Sequence, residues 1–299
     1  MLDPRALREA IMDETSESGF SGVVLVEQDG RPVVSEARGY ANRSDLIPNG
    51  MDTRFGIASG GKGFTAVAVY QLIEQGVLSL ETAVGDMLDI PLGHVDPKVT
   101  VAQLLTHTSG IPDYFDEDVD DDYGSIWDQK PVYLMLSPKD FLPLFSHEKM
   151  NFEPGAQFRY SNSGFIMLGM ILESVTGRPF AEHVTESVLR KAGMANSGYF
   201  RCDRLPSKCA VGYIDEPGAG WRSNVYSLPI IGGGDGGTFV TAEDMLRFWT
   251  ALFQNRLLSP KGTADLLSPH AKVGDNLSYG YGVWIGMRGE PGASSKIRR

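Results

Sequence analysis

The chain has 299 residues, 42% of them hydrophobic and 22% charged, with a formal net charge of -11. That length and balance fit one large α/β domain or two ordinary ones around a sizeable core, and they exclude a disordered or fibrous chain. The acidic excess argues against nucleic acid as the main partner, because proteins that bind that polyanion gather Lys and Arg to neutralise phosphates.

The opening residues, MLDPRALREAIMDE, carry charge throughout and lack the apolar stretch of an export signal, and no run approaches membrane-spanning length. The sequence therefore predicts no membrane span and a cytoplasmic location, unless a leader has been removed. Residues 4–17 have apolar positions at helical spacing, and 22–30 with 32–36 read as two strands around the Asp29-Gly30 turn. Residues 65–76 read as a buried helix closed by Gly76, with Ser59 and Lys62 standing at its beginning.

From about 101 to 200 the pattern is mostly helical, with helices predicted over 101–105, 138–145, 164–176 and 180–192, the third capped by the Asn162-Ser163 pair. The acidic run DYFDEDVDDD from Asp113 to Asp122 reads as a solvated surface loop, since it lacks the spacing of a calcium loop. Cys202 and Cys209 lie in a polar stretch; the pair makes neither a disulfide framework nor a four-ligand zinc site, and whether they bond to each other stays open. The glycine-rich turn 232–237 lacks the Gly-Lys-Ser/Thr ending of a phosphate loop, and a helix over 241–253 follows it with a Thr-x-x-Asp cap. Residues 279–285 alternate like a strand.

Strands at both ends and helices between them predict an α/β (α+β) fold: an antiparallel sheet formed by N- and C-terminal strands, flanked by helices, with a mostly helical lobe inserted. The expected organisation is one domain over 1–299, with an α/β lobe of 1–57 plus 236–299 and a helical lobe of 58–235.

Acyl transfer through serine needs a hydroxyl, a group to take its proton, and donors for the developing oxyanion. In Ser59-Gly60-Gly61-Lys62 the hydroxyl and amine stand three residues apart, hence on one face at a helix N-terminus, where free N–H groups favour negative charge. The two glycines would let a substrate approach the backbone closely. Ser146-His147-Glu148-Lys149 has the same spacing but charged neighbours and no apolar helix after it. A lysine at its ordinary pKa of about 10.4 is a poor base at neutral pH, so a tyrosine could share the task. Tyr160-Ser161-Asn162 supplies one ahead of an apolar helix, with Asn162 offering an amide to orient the substrate or Lys62, whereas Tyr40-Ala41-Asn42 ends the first hairpin.

The run Phe55-Gly56-Ile57-Ala58-Ser59-Gly60-Gly61-Lys62, the segment Leu104-Leu105-Thr106-His107-Thr108-Ser109-Gly110-Ile111, and Phe152-Glu153-Pro154-Gly155 leading to Tyr160-Ser161-Asn162 occur in that order. Together they resemble the serine β-lactamase-like and penicillin-binding protein family, in particular its class C branch of β-lactamases, D-alanyl-D-alanine carboxypeptidases, esterases and acyltransferases. The resemblance covers roughly residues 22–285 and implies the β-lactamase/transpeptidase-like fold. It implies that Ser59 is acylated, Lys62 activates it, Tyr160 relays the proton to the leaving group and Asn162 binds substrate. It further implies that the Ser59 N–H forms half of the oxyanion hole. His107 falls in a structural turn of the family, which sets aside a Ser-His pairing.

The family's third motif, a cationic residue followed closely by Gly on a strand beside the site, has no clean copy; the nearest is Arg288-Gly289, expected to bind substrate. The resemblance also implies further strands and a closing helix beyond Arg299. Two functions follow. The first is a serine hydrolase cleaving a small-molecule or peptide ester or amide without metal or organic cofactor. The second is a catalytically weak penicillin-recognising sensor of the same fold. Oligomeric state is not readable from these motifs.

Overall fold

The computed structural model describes residues 3–286 apart from 117, 118, 120, 121, 129 and 217. Asp3 caps the first helix, α1 (Pro4–Glu17), accepting from the Arg5 N–H, and the chain then enters the expected hairpin of β1 (Gly22–Gln28) and β2 (Arg31–Arg38). Asp29 and Gly30 turn between them with φ of 52° and 75°, the paired left-handed conformation that suits a two-residue hairpin loop.

Strand β3 (Phe55–Gly56) leads through a 3-10 turn, Ala58–Gly61, directly into α2 (Lys62–Glu74). Helix α3 (Val101–Leu105) carries a Thr100 capping box closed reciprocally by Gln103. Helix α4 (Asn162–Thr176) packs against α2, and the two form the centre of the core: Lys62 to Leu72 and Asn162 to Leu172 are buried without interruption. A helix apolar on every side belongs inside rather than on a surface, and both sequences read that way. The cap of α4 is Ser161, whose hydroxyl accepts from the Gly164 N–H at 3.2 Å, one residue earlier than the expected Asn162-Ser163 pair. Asn162 is thereby released for another task.

The helix expected over 180–192 starts as Phe180–Val184 and continues with π-type bonding over Thr185–Arg190. Strand β4 (Phe239–Val240) precedes α5 (Ala242–Phe253), which Thr241 caps as expected. Strands β5 (Ala271–Gly274), β6 (Leu277–Tyr279) and β7 (Trp284–Gly286) form a meander. The single strand expected over 279–285 is thus two strands with a turn between them. Gly282 adopts φ 73° there, and a Cβ on it would lie 2.6 Å from Ala66 Cβ and 3.0 Å from the Lys62 carbonyl oxygen, so the turn is pressed onto the first turn of α2.

The fold is the β-lactamase/transpeptidase-like α/β arrangement of helices and antiparallel sheets. Its strands differ from the expected joint sheet: among the described residues they form five separate antiparallel units, and none pairs β1–β2 with β5–β7. The N-terminal hairpin is instead covered by helices, α1 against β2 and α5 against β1. The pairing that matters for the site is β3 with β4, Phe55 opposite Val240 and Gly56 opposite Phe239, because it brings residues 232–240 beside Ser59.

Candidate active site

Ser59 is lifted out of β3 by a strained residue. Ala58 has φ 42°, a left-handed conformation that costs a non-glycine residue about 1 kcal/mol or more, and it turns the chain so that Ser59 stands exposed above α2. The turn is held from both sides: the Ile57 N–H donates to the Thr238 carbonyl at 3.0 Å, and the Gly237 N–H donates to the Ala58 carbonyl at 3.2 Å.

Lys62, one helical turn on, is only 1% exposed. Its Nζ lies 3.0 Å from Ser59 Oγ, 2.7 Å from Asn162 Oδ1 and 2.7 Å from the Asp235 carbonyl oxygen. An ammonium would donate to all three. A neutral amine would keep its two N–H bonds for Asn162 and Asp235 and turn its lone pair to the Ser59 hydroxyl. The same amine sits 4.8 Å from the centre of the Tyr160 ring.

Tyr160 is fixed through its ring. His107 packs on it at 4.3 Å between centroids and Trp284 stacks on it at 6.1 Å with 9° between planes. His107, itself 1% exposed, accepts from the Ser161 N–H through Nδ1 at 3.1 Å, which leaves the proton on Nε2. Burial, reinforced by the Lys62 charge, holds its imidazole well below the ordinary 6.5, so it stays neutral.

Asn162 uses its amide at both ends. Its oxygen accepts from Lys62, while its NH2 donates to Asp113 Oδ2 at 3.0 Å and to the Phe115 carbonyl at 3.4 Å. The other Asp113 oxygen accepts from the Ser163 N–H at 3.0 Å, at the N-terminus of α4 where a carboxylate is favoured. Burial nevertheless pushes the Asp113 carboxyl up to about 6, against the lowering effect of these bonds and of Lys62. The solvated loop expected over 113–122 is corrected over 113–116, while Val119 and Asp122 are exposed as expected. Tyr114 and Phe115 are buried, Arg159 pairs with Asp116, and Asp113 sits in the network that holds Lys62. The apolar Tyr114-Phe115 pair inside the acidic run was the signal that its first half is not solvated.

The turn 232–237 is the other part that sequence reasoning missed. A Cβ on Gly234 would lie 2.1 Å from the Phe165 carbonyl oxygen, and one on Gly236 would lie 2.2 Å from the Ala58 carbonyl oxygen and 3.0 Å from Ser59 N. The backbone is therefore wedged between α4 and the nucleophile turn, with Gly234 accepting from Thr65 Oγ1 at 2.7 Å and Asp235 from Lys62. Gly61 is buried against this same turn, 3.0 Å from Thr238 Oγ1 at its virtual Cβ, so it serves packing rather than an open approach for substrate.

Ser59 and Asn162 open onto a cavity of about 610 Å³ walled by Tyr114, Phe115, Tyr123 and Phe239. Of the residues singled out from sequence, Ser59, Lys62 and Asn162 are joined by hydrogen bonds and Tyr160 reaches Lys62 through its ring. Arg288 and Gly289 lie outside the described residues. Cys202 and Cys209 carry free thiols. Among the described residues no helix is long and apolar enough to cross a membrane.

The Beta-lactamase family profile matches residues 7–296, and the chain belongs to that family. It is 28% identical over 284 residues to Penicillin-binding protein 4* of Bacillus subtilis (strain 168), covering 89% of this chain and 59% of that one. The chain thus spans about three-fifths of the length of that relative. It is 28% identical over 306 residues to Esterase EstB of Burkholderia gladioli, covering 91% of this chain and 76% of the esterase. The crystal structure of a penicillin binding protein from Bacillus halodurans superposes with a TM-score of 0.89 at 49% identity, covering 93% of this chain and 84% of that one. The crystal structure of a D-stereospecific amidohydrolase from Streptomyces sp. superposes with a TM-score of 0.78 at 26% identity, covering 95% of this chain and 83% of that one.

Proposed function

We propose that this chain is a serine hydrolase that forms an acyl-enzyme on Ser59 and transfers the acyl group from an ester or amide to water. One observation carries the reading: an exposed serine hydroxyl lies 3.0 Å from a buried lysine amine whose other contacts, Asn162 and the Asp235 carbonyl, fix its direction. A buried amine aimed at a hydroxyl is the arrangement that activates a serine without histidine.

In this reading the neutral Lys62 amine takes the Ser59 proton as Oγ bonds to the substrate carbonyl carbon. The Ser59 N–H, at the strained turn, is one donor for the oxyanion. Collapse breaks the bond to the leaving oxygen or nitrogen, which receives the proton through Tyr160, the ring beside Lys62. Water then adds to the acyl-serine, its proton returning along the same groups, and the acid leaves with Ser59 restored. Arg288 and Gly289 are proposed to contribute to substrate binding. Asn162 lines the cavity, but its amide is engaged by Lys62 and Asp113, which supports a role in aiming the lysine.

Rapid mixing with a nitrophenyl ester tests this. A burst of nitrophenol equal to the enzyme concentration, absent in Ser59→Ala, is expected. A burst without turnover would make the chain a sensor that is acylated once, and equal release by both proteins would overturn the reading.

A further inference from the structure

The Lys62 amine is aimed at Ser59 by two acceptors, the Asn162 amide oxygen and the Asp235 carbonyl, each 2.7 Å away. Asn162 stands on a buried helix and is held by Asp113. Asp235 stands instead among five glycines in the turn 232–237, and glycine is the residue with the widest backbone freedom. The turn closes on itself by the Gly233 N–H donating to the Gly236 carbonyl at 2.9 Å and the reverse bond at 3.2 Å, and the Thr65 hydroxyl holds the Gly234 carbonyl. Asp235 supplies its one side chain, which is engaged: Oδ2 accepts from the Tyr114 hydroxyl.

Tyr114 is itself firmly placed. Its side chain is buried, its ring packs on Phe141 at 5.1 Å between centroids, and its backbone N–H donates to Ser163 Oγ at 2.8 Å. Burial, reinforced by the Asp235 charge, holds its phenol well above the ordinary 10, so it keeps its proton and remains a donor. With that proton given to Asp235, its oxygen accepts from the Tyr123 hydroxyl at 3.0 Å. Two consecutive residues thus lead to the two acceptors of one amine, Asp113 to Asn162 and Tyr114 to Asp235. We infer that Tyr114 is a positioning residue for the lysine: its hydroxyl holds the Asp235 carboxylate, which fixes the Asp235 carbonyl against Lys62 and keeps the amine lone pair on the Ser59 hydroxyl. This rests on the acyl-serine reading and adds to it a hydroxyl that acts through Asp235. Without that hydroxyl the Asp235 side chain faces the cavity untethered, one N–H of the amine loses its fixed partner, and proton transfer from Ser59 slows while the cavity keeps its shape.

Stopped-flow acylation by nitrophenyl acetate separates aim from fit, read as the limiting rate constant of the burst and the ester concentration that gives half of it, with Ser59→Ala as the control. Tyr114→Phe keeps the ring and removes the hydroxyl. Its limiting rate constant is expected to fall by about tenfold or more, as for one lost charge-assisted hydrogen bond, while the half-saturating concentration stays within about threefold of native. Asp235→Ala, which removes the other end of the bond, is expected to show the same split. The double variant is expected to be within about threefold of the slower single variant, because both changes remove one interaction. If Tyr114→Phe does not fold, the split in Asp235→Ala decides. A folded Tyr114→Phe with the native limiting rate constant overturns the inference, whatever its thermal stability, and so does a change confined to the half-saturating concentration, which marks a wall residue. A double variant slowed by the product of the two single losses also overturns it. Each of these leaves the acyl-serine reading standing, whereas a native protein with no burst dependent on Ser59 fails that reading and the inference with it.

Discussion

Replacing Asp113 by Asn separates what the carboxylate costs the fold from what it gives the site. Its folded pKa is raised from an ordinary 3.8 to about 6 by burial, a difference worth about 3 kcal/mol. Because the folded value is the higher one, the folded state holds the proton more tightly. The stability contributed by this group is complete below about pH 4 and is lost as pH rises through about 6. Asn keeps the acceptor for the Ser163 N–H but turns an NH2 toward the NH2 of Asn162, a pH-independent loss of about 1–3 kcal/mol. Urea unfolding of both proteins from pH 4 to 7.5 should therefore show native stability falling by about 3 kcal/mol relative to the variant across that range. Other titrating groups, His107 among them, cancel in the difference. Activity should move the opposite way. The ionised carboxylate orients Asn162 to receive Lys62, so native kcat/KM should rise through an apparent pKa of about 6, whereas Asp113→Asn should be lower by about 10- to 100-fold at pH 7.5 and lack that limb. A flat or rising stability difference, or a variant with native activity, would refute the reasoning.

Gly236→Ala places a methyl 2.2 Å from the Ala58 carbonyl oxygen at a residue with φ 153°, so a loss of about 2–4 kcal/mol and of most esterase activity is expected. Gly274→Ala, with nothing within 4 Å of its virtual Cβ, is the matched control and should stay within about 1 kcal/mol of native by thermal unfolding. His107 is held well below 6.5, so its contribution to stability is present above that value and lost as pH falls below it. Unfolding free energies of the native protein should fall relative to His107→Phe on acidification, with a slope of up to about 1.4 kcal/mol per pH unit. A difference independent of pH would mean that folding does not shift the imidazole's affinity for its proton, and would contradict the buried neutral ring.

The parts of the fold that local chemistry dictates were legible in the sequence. The Asp29-Gly30 hairpin, the largely apolar α2 and α4, and the Thr241 cap all depend on neighbours within a few residues. The Ser59 to Lys62 spacing belongs with them, since one helical turn fixes it. What escaped depends on contacts distant in the sequence. Gly282 breaks the expected strand because the turn must clear Ala66, and Asp113 leaves solvent because α4 offers it two N–H groups across the fold. The turn 232–237 reads as a loop until β3 and β4 pair and lay it over Ser59. Four of its five glycines, all but Gly233, record close backbone approach, which composition alone does not distinguish from flexibility.

The most direct test of the account is the mass of the protein after brief mixing with a nitrophenyl ester at acidic quench, followed by proteolysis and sequencing of the modified peptide. One acyl mass per chain on the peptide containing Ser59, decaying at the rate of steady-state turnover and absent from Ser59→Ala, is the predicted result. An acyl group on another residue, or turnover with no acylated species in native protein and equal activity in Ser59→Ala, would contradict it.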